Sequence, residues 1–263
     1  MNRKKFFFWI ILLSGISLIM YPLVGQYLSY RAEHDNINKY SEELSKLDST
    51  EIDNRIKLAE AYNYSIYSTK DSDISDPFTN EEILKGKETY ANMLEIHEQL
   101  GYITIPKIKQ EIPIYAGTSD NVLQKGIGHL EGTSLPIGGK NTHTVLTGHR
   151  GLPTAELFTH LDKLVIGDKF YIKNIKETIA YQVDKISVVD PNDISQLKII
   201  NNEDYATLLT CTPYMINSHR LLVRGHRIPY TNVDDKAIHE QKNNKYFLRI
   251  LLLIMIIIVI FFK

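Results

Sequence analysis

The chain has 263 residues, 43% of them hydrophobic and 23% charged. That length supports one or two domains with a substantial core and excludes a disulfide-stapled miniprotein, while a single cysteine, Cys211, excludes an internal disulfide and a cysteine-rich zinc site. Thirty basic residues against 31 acidic ones, a net charge of -1, exclude a nucleic-acid binder built on a basic face.

Residues 1–30 carry no acidic side chain, and Phe6–Met20 is almost wholly apolar (FFFWIILLSGISLIM). About 20 such residues cross a bilayer core of about 30 Å. Arg3, Lys4 and Lys5 precede the run and hold the N-terminus on the cytoplasmic side. Tyr21-Pro22-Leu23-Val24-Gly25 lacks the small residues of a cleavage site, so residues 1–30 read as an uncleaved signal anchor. Residues 31–75 form an extracellular juxtamembrane segment. Ile37, Tyr40, Leu44 and Leu47 are spaced 3, 4 and 3, and Ile52, Ile56, Ala59 and Tyr62 continue the stripe, which predicts one or two helices standing above the membrane. Lys70–Pro77 is loop by composition, and Glu81–Glu98 is predicted helical behind a Thr79 or Asn80 cap.

From Gly101 the texture changes to short β-branched runs separated by Gly, Pro and Asn. Strands are predicted at Tyr102–Ile105, Ile112–Tyr115, Ile127–Leu130, Thr144–Thr147, Lys169–Ile175, Thr178–Val189, Ala206–Thr210 and Leu221–Arg224. Eight short strands over residues 101–230 suggest a mainly β domain, a sandwich or a closed barrel. Asp120–Lys125, Thr154–Leu161 and Asp193–Leu197 are predicted as short helical inserts, and 231–245 as a polar linker. Residues 246–263 (YFLRILLLIMIIIVIFFK) are apolar on every face apart from Arg249, near one end, and predict a second transmembrane helix. Lys242, Lys245 and Arg249 flank its outer side against the positive-inside preference, and the first helix is taken to set the orientation.

Cys211 closes an apolar strand and is followed by Thr212-Pro213, where the ladder must stop, so its thiol points to a cleft. A buried structural cysteine is the commoner fate of a lone Cys, but an unpaired thiol in an oxidising compartment argues for reactivity. A nucleophilic thiol needs a proton partner and an oxyanion donor. Of nine histidines, His149 ends another apolar strand in Gly-His-Arg-Gly, with His219 as its rival. A zinc site from His143, His149, His219 and His226 is a further reading, although the spacing follows no usual ligand pattern. Arg220 and Arg224 share one strand face and are either oxyanion donors or solvated side chains.

Thr147-Gly-His149-Arg, Thr207-Leu-Leu-Thr-Cys211-Thr-Pro-Tyr214 and Asn217-Ser-His-Arg220-Leu-Leu-Val-Arg-Gly225 together resemble a sortase. More narrowly, they resemble the class C, pilin-polymerising sortases of Gram-positive bacteria. The step of nine residues from Cys211 to Arg220 fits that family, and Asp76-Pro77-Phe78, in the segment 76–100 ahead of the first strand, is similar to the class C lid. The resemblance implies a closed eight-stranded β-barrel over 101–230, with Cys211 as nucleophile, His149 as proton shuttle and Arg220 as transition-state stabiliser. It implies cleavage of an LPxTG-like signal between Thr and Gly, a thioacyl-enzyme, and transfer to a lysine amine of a pilin subunit without metal or organic cofactor. Its partners are then pilin or surface proteins bearing such signals and the membrane, not nucleic acid. As a lid, Phe78 would cover the thiol and Asp76 would pair with Arg220; otherwise Asp-Pro-Phe is a helix-entry turn. The rival functions are a housekeeping sortase using a cell-wall precursor amine, a non-catalytic binder of sorting peptides, and a hydrolytic cysteine protease.

Overall fold

The computed structural model describes residues 3–69, 93–96, 98–231, 233–234 and 238. Two helices precede the sheet, α1 (Arg3–Leu44) and α2 (Ser49–Thr69). Eight strands follow: β1 (Gln99–Ile105), β2 (Gln110–Ala116), β3 (Ile127–His129), β4 (Thr142–Thr147), β5 (Lys169–Lys173), β6 (Thr178–Val189), β7 (Asp204–Thr212) and β8 (His219–Ile228), with α3 (Asp120–Lys125) between β2 and β3. They close into a barrel in the order β1-β2-β3-β4-β7-β8-β6-β5, and β5 pairs back onto β1. All pairs are antiparallel except β2–β3 and β4–β7. Closure leaves no open sheet edge.

Side chains alternate across the barrel wall, as the two-residue period of a strand requires. Ala206 and Leu208 of β7, Leu221 and Val223 of β8 and Leu146 of β4 enter the interior core with Ile103, Ile114, Phe170 and Tyr181. The opposite set faces outward and is still buried. Val145, Leu209 and Leu222 form a second apolar cluster with Leu130, Val189 and Leu197, roofed by Ile194 from the β6–β7 connection. This covered outer face of β4, β7 and β8 is where the candidate residues lie.

The helices of 31–69 pack against the barrel. Ile37, Tyr40, Ile56 and Ala59 are buried, and the last three join the barrel core. The Asn36 amide donates to Tyr115 Oη at 3.1 Å, and Tyr40 donates to the Leu100 carbonyl at 3.4 Å. Asn63 of α2 accepts from Leu135 N–H at 2.7 Å and donates to its carbonyl at 3.3 Å, satisfying both backbone groups of a loop residue. Two short predicted helices are not helices: Thr154–Leu161 is a series of turns ending in a 3-10 turn at Leu161–Lys163. Its backbone bonds outward, with Phe158 N–H reaching the His149 carbonyl at 3.2 Å, and Leu157 has φ +35°. The predicted helix at Asp193–Leu197 is likewise a 3-10 turn, Ser195–Leu197, behind an Asp193 carboxylate that accepts from Ser195 N–H.

Among the described residues one helix, α1, is long and apolar enough to cross a membrane. The predicted second span at 246–263 and most of the predicted helix at 81–98 lie outside the described residues. The linker is not wholly solvated where it is described. Asp234 is buried and accepts from Lys169 Nζ at 2.9 Å, Tyr171 Oη at 2.7 Å and Thr231 N–H at 2.8 Å.

Candidate active site

Register alone brings three of the expected residues to one level of the outer face. Antiparallel pairing sets Cys211 of β7 directly opposite Arg220 of β8. Opposed residues in such a pair project to the same side of the sheet. On the other flank, parallel pairing sets Thr147 of β4 beside Leu209. The Gly148 N–H still donates to the Leu209 carbonyl at 3.1 Å, so two residues further the chain carries His149 to the level of Cys211. His149 shares the parity of His143, Val145 and Thr147, which is that of Leu209 and Cys211. Neighbouring strands lie about 4.8 Å apart, so the backbone order across the wall is the segment just past β4 that carries His149, then Cys211, then Arg220.

The three residues differ in exposure. Cys211 and Arg220 are 7% and 5% exposed, and His149 is half-buried. The Arg220 guanidinium is held from behind, where Nη1 donates to the carbonyls of Asn217 at 3.1 Å and His219 at 3.2 Å. Asn217 lies in the β7–β8 turn, where it and Met215 take left-handed backbone conformations, and His219 opens β8. Burial lowers the pKa of His149 below the ordinary imidazole value, and the Asp120 carboxylate partly offsets this. The neutral ring, able to accept a proton, is therefore favoured at neutral pH.

The turn that carries His149 is pinned at several points. Thr210 Oγ1 donates to the Gly148 carbonyl at 2.7 Å. Gly148 has no room for a side chain, since a Cβ there would lie 2.8 Å from Ile127 Cγ2 and 3.0 Å from the Phe158 ring. Arg150 reaches across to the cysteine strand. Its Nη1 donates to Thr212 Oγ1 at 3.1 Å, its Nε to the Thr159 carbonyl at 3.2 Å, and its Nη2 lies 2.7 Å from Asp162. One side chain thus ties the residue after His149 to the residue after Cys211. Sequence reasoning missed Arg150, Thr210 and Thr212. The available signal was hydroxyls at 207, 210 and 212 in a strand that is otherwise apolar, facing a strand that ends in His-Arg.

The competing assignments separate clearly. Arg224 is spent structurally: it grips Asp184 through Nε at 3.0 Å and Nη2 at 2.8 Å, and its guanidinium lies 4.1 Å from the Tyr205 ring centroid. His219 is exposed, beside Ser218 and Asp190. His143 commits Nδ1 to the Lys198 carbonyl and Nε2 to Thr207 Oγ1, at 3.0 and 2.7 Å, so the four-histidine zinc set does not assemble around it. Burial pushes His143 and His129 down to about 4. Among the described residues no group of three or more His, Cys, Asp and Glu could hold a metal ion. Asp76, Pro77 and Phe78 lie outside the described residues.

A closed eight-stranded barrel carries Cys211 and Arg220 side by side on one covered face, with His149 just past the end of the neighbouring strand. Comparison with known proteins gives the family. The family described as Sortase domain matches residues 103–228. The solved structure of Sortase C1 of GBS Pilus Island 1 is 56% identical with a TM-score of 0.70, covering 76% of this chain and 94% of that one. Sortase C-1 from Streptococcus pneumoniae is 55% identical with a TM-score of 0.71, covering 75% of this chain and 100% of that one. Sortase D of Bacillus subtilis (strain 168) is 29% identical over 137 residues, 51% of this chain and 66% of that protein's length. The chain belongs to the sortase family of cysteine transpeptidases, and its near structural neighbours are class C sortases of pilus systems.

Proposed function

We propose that this sortase assembles covalent pili at the cell surface, with Cys211 as nucleophile, His149 as proton carrier and Arg220 as oxyanion stabiliser. The observation that supports the reading is the β7–β8 register, which pairs Cys211 with Arg220, beside a β4–β7 pairing that ends two residues before His149. His149 takes the thiol proton, and the sulfur attacks the Thr carbonyl of an LPxTG-like signal. Arg220, already fixed by the Asn217 and His219 carbonyls, faces the negative charge that develops on the former carbonyl oxygen. Collapse breaks the Thr–Gly bond; the proton on His149 passes to the departing glycine amine and leaves a thioester on Cys211. A lysine amine of a second pilin subunit then attacks the thioester, its proton leaves through His149, and an isopeptide bond forms while the thiol is regenerated. The thioester conserves the energy of the cleaved amide, so no nucleotide is consumed.

The anchor belongs to the same proposal. Helix α1 holds the barrel outside the membrane, close to precursors that are also membrane-held, which raises their effective concentration. Composition alone supports a second crossing at 246–263. Asp76-Pro77-Phe78 is proposed as a lid over Cys211; faster labelling by a bulky thiol reagent in Phe78→Ala supports it, and an unchanged rate removes it. The function itself is tested by incubating the enzyme with a purified pilin subunit. SDS-resistant ladders with wild type and none with Cys211→Ala are expected. Attachment of single proteins without ladders would instead indicate a housekeeping acceptor, and free acid as the sole product would indicate a protease.

A further inference from the structure

Three consecutive apolar side chains stand in solvent at the edge of the site. Tyr214, Met215 and Ile216, in the β7–β8 turn, are 50%, 68% and 71% exposed. Isolated exposed apolar residues are ordinary, but a contiguous cluster marks an interaction surface. Its position relative to the anchor identifies the partner. Helix α1 runs without a break from Arg3 to Leu44 and lies against the barrel over much of its outer half. Tyr40 and Asn36 bond to β1 and β2, and Gln26 Nε2 donates to the Pro153 carbonyl at 3.3 Å. Gly25 packs so closely on Thr154 that a Cβ there would lie 2.7 Å from Thr154 Cγ2. The barrel is therefore fixed along the helix and cannot swing away from it.

Starting at Phe6, about 20 residues are needed to cross the hydrocarbon core, which places its outer boundary near Gly25 and Gln26. Loop 153–154 sits at that same level. Two residues back, Gly151 (φ +94°) abuts the β7–β8 turn, where its Cβ position falls 3.2 Å from the Tyr214 ring and 3.3 Å from Met215 Sδ. Two residues of extended chain span at most about 7 Å, so with the Gly151 contact the near edge of the apolar tip lies within roughly 12 Å of the Pro153 level. Tyr21, Tyr27 and Tyr30 on α1 occupy the same zone, where aromatic rings collect at the headgroup level.

We infer that Tyr214, Met215 and Ile216 form a second membrane contact that seats the catalytic edge of the barrel on the outer leaflet. Here the bilayer interface is the partner, and the inference rests on the anchor reading above. The active site then opens along the membrane surface, where the sorting signal of a membrane-held precursor lies, rather than toward the distant end of the barrel.

The chain has one tryptophan, Trp9, inside the apolar run, and it serves as an internal depth standard. The full chain is reconstituted in phosphatidylglycerol vesicles, as wild type and as Trp9→Phe carrying Ile216→Trp or Met215→Trp. Both reporter sites are well exposed, so an indole is accommodated without disturbing the core. Wild-type Trp9, about 4.5 Å inside the inner boundary set at Phe6, is expected to be quenched by lipids brominated on the upper part of the acyl chain. The 216 and 215 reporters should shift to shorter emission wavelengths and lose more than half their intensity with lipids brominated near the headgroup. If Trp9 is quenched and neither reporter is, the tip does not touch the bilayer and the inference is overturned while the anchor stands. If Trp9 itself is not quenched, the anchor reading fails first. A blue shift that appears only when a sorting peptide is added would make the tip a substrate surface and would also overturn the inference.

Discussion

Replacing Arg150 with alanine should slow acyl transfer much more than it alters substrate affinity. The guanidinium is nearly buried, and its three contacts join the His149 turn to the Cys211 strand. The pair with Asp162, whose side chain is 49% exposed, contributes at most about 1 kcal/mol. The bonds to Thr212 and Thr159 come from a charged donor to partly buried oxygens and are worth roughly 1.5–3 kcal/mol each. With water recovering part of that loss, unfolding stability should fall by about 2–3 kcal/mol. The larger effect is geometric. The turn keeps the Thr210 bond and the Phe158 bond but loses its tie to Thr212, and a misplacement of about 1 Å at a reacting group can cost about 10²-fold. Cleavage of a fluorogenic sorting peptide is the assay, with kcat and KM separated and thermal unfolding measured in parallel. A fall in kcat of about 30- to 100-fold with little change in KM is expected, and Arg150→Lys should recover part of it, since it restores the charge but not the fork. An unchanged kcat in a folded Arg150→Ala enzyme would refute the reasoning.

Other consequences can be checked directly. Arg220→Lys keeps the charge but cannot both hold the turn carbonyls and reach the substrate, so kcat should drop by about 10²- to 10³-fold, measured by burst and steady-state kinetics. His129 and His143 are held neutral, at about 4, against an unfolded value of 6.5. A depressed histidine contributes stability that is complete above the unfolded pKa and is lost as pH falls toward the folded one. Urea unfolding should therefore be level above pH 7 and weaken by roughly 2 kcal/mol per histidine by pH 5, and His143→Gln should remove part of that slope. Asn63→Ala leaves the Leu135 N–H without its partner, while the carbonyl keeps Thr144 Oγ1 and Ile137 N–H, so stability should fall by about 1–2 kcal/mol and hydrogen exchange of α2 should accelerate before that of the barrel.

Much of the barrel was legible because its strands obey period two. Thr178–Val189 and Asp120–Lys125 have the bounds their composition predicts, and each of the eight predicted strands has an observed counterpart. Strand ends were underestimated where polar residues continue the ladder, as at Asp204, Thr212 and His219. Thr154–Leu161 has helical composition, but its local bonds are i→i+3 turns, and Phe158 N–H and the Thr159 carbonyl turn instead to the His149 carbonyl and the Arg150 side chain, contacts that no local propensity encodes. The packing of α1 and α2 was half visible. The stripe of Ile37, Tyr40, Ile56 and Ala59 showed that a face must be buried, but not that the barrel would bury it. The candidate site was legible as three residues near strand ends; that Cys211 faces Arg220, with the β4 end beside them, follows only from the pairing of β7 with β8 and of β4 with β7.

Intact-mass spectrometry of the enzyme after mixing with a sorting peptide tests the catalytic assignment most directly. Cys211 should carry the peptide fragment ending in threonine, and a lysine amine should remove it as an amide. No adduct should form in Cys211→Ala, and much less in His149→Ala or Arg220→Ala at short times. An adduct on any residue other than Cys211, or undiminished acylation without both His149 and Arg220, would contradict the account.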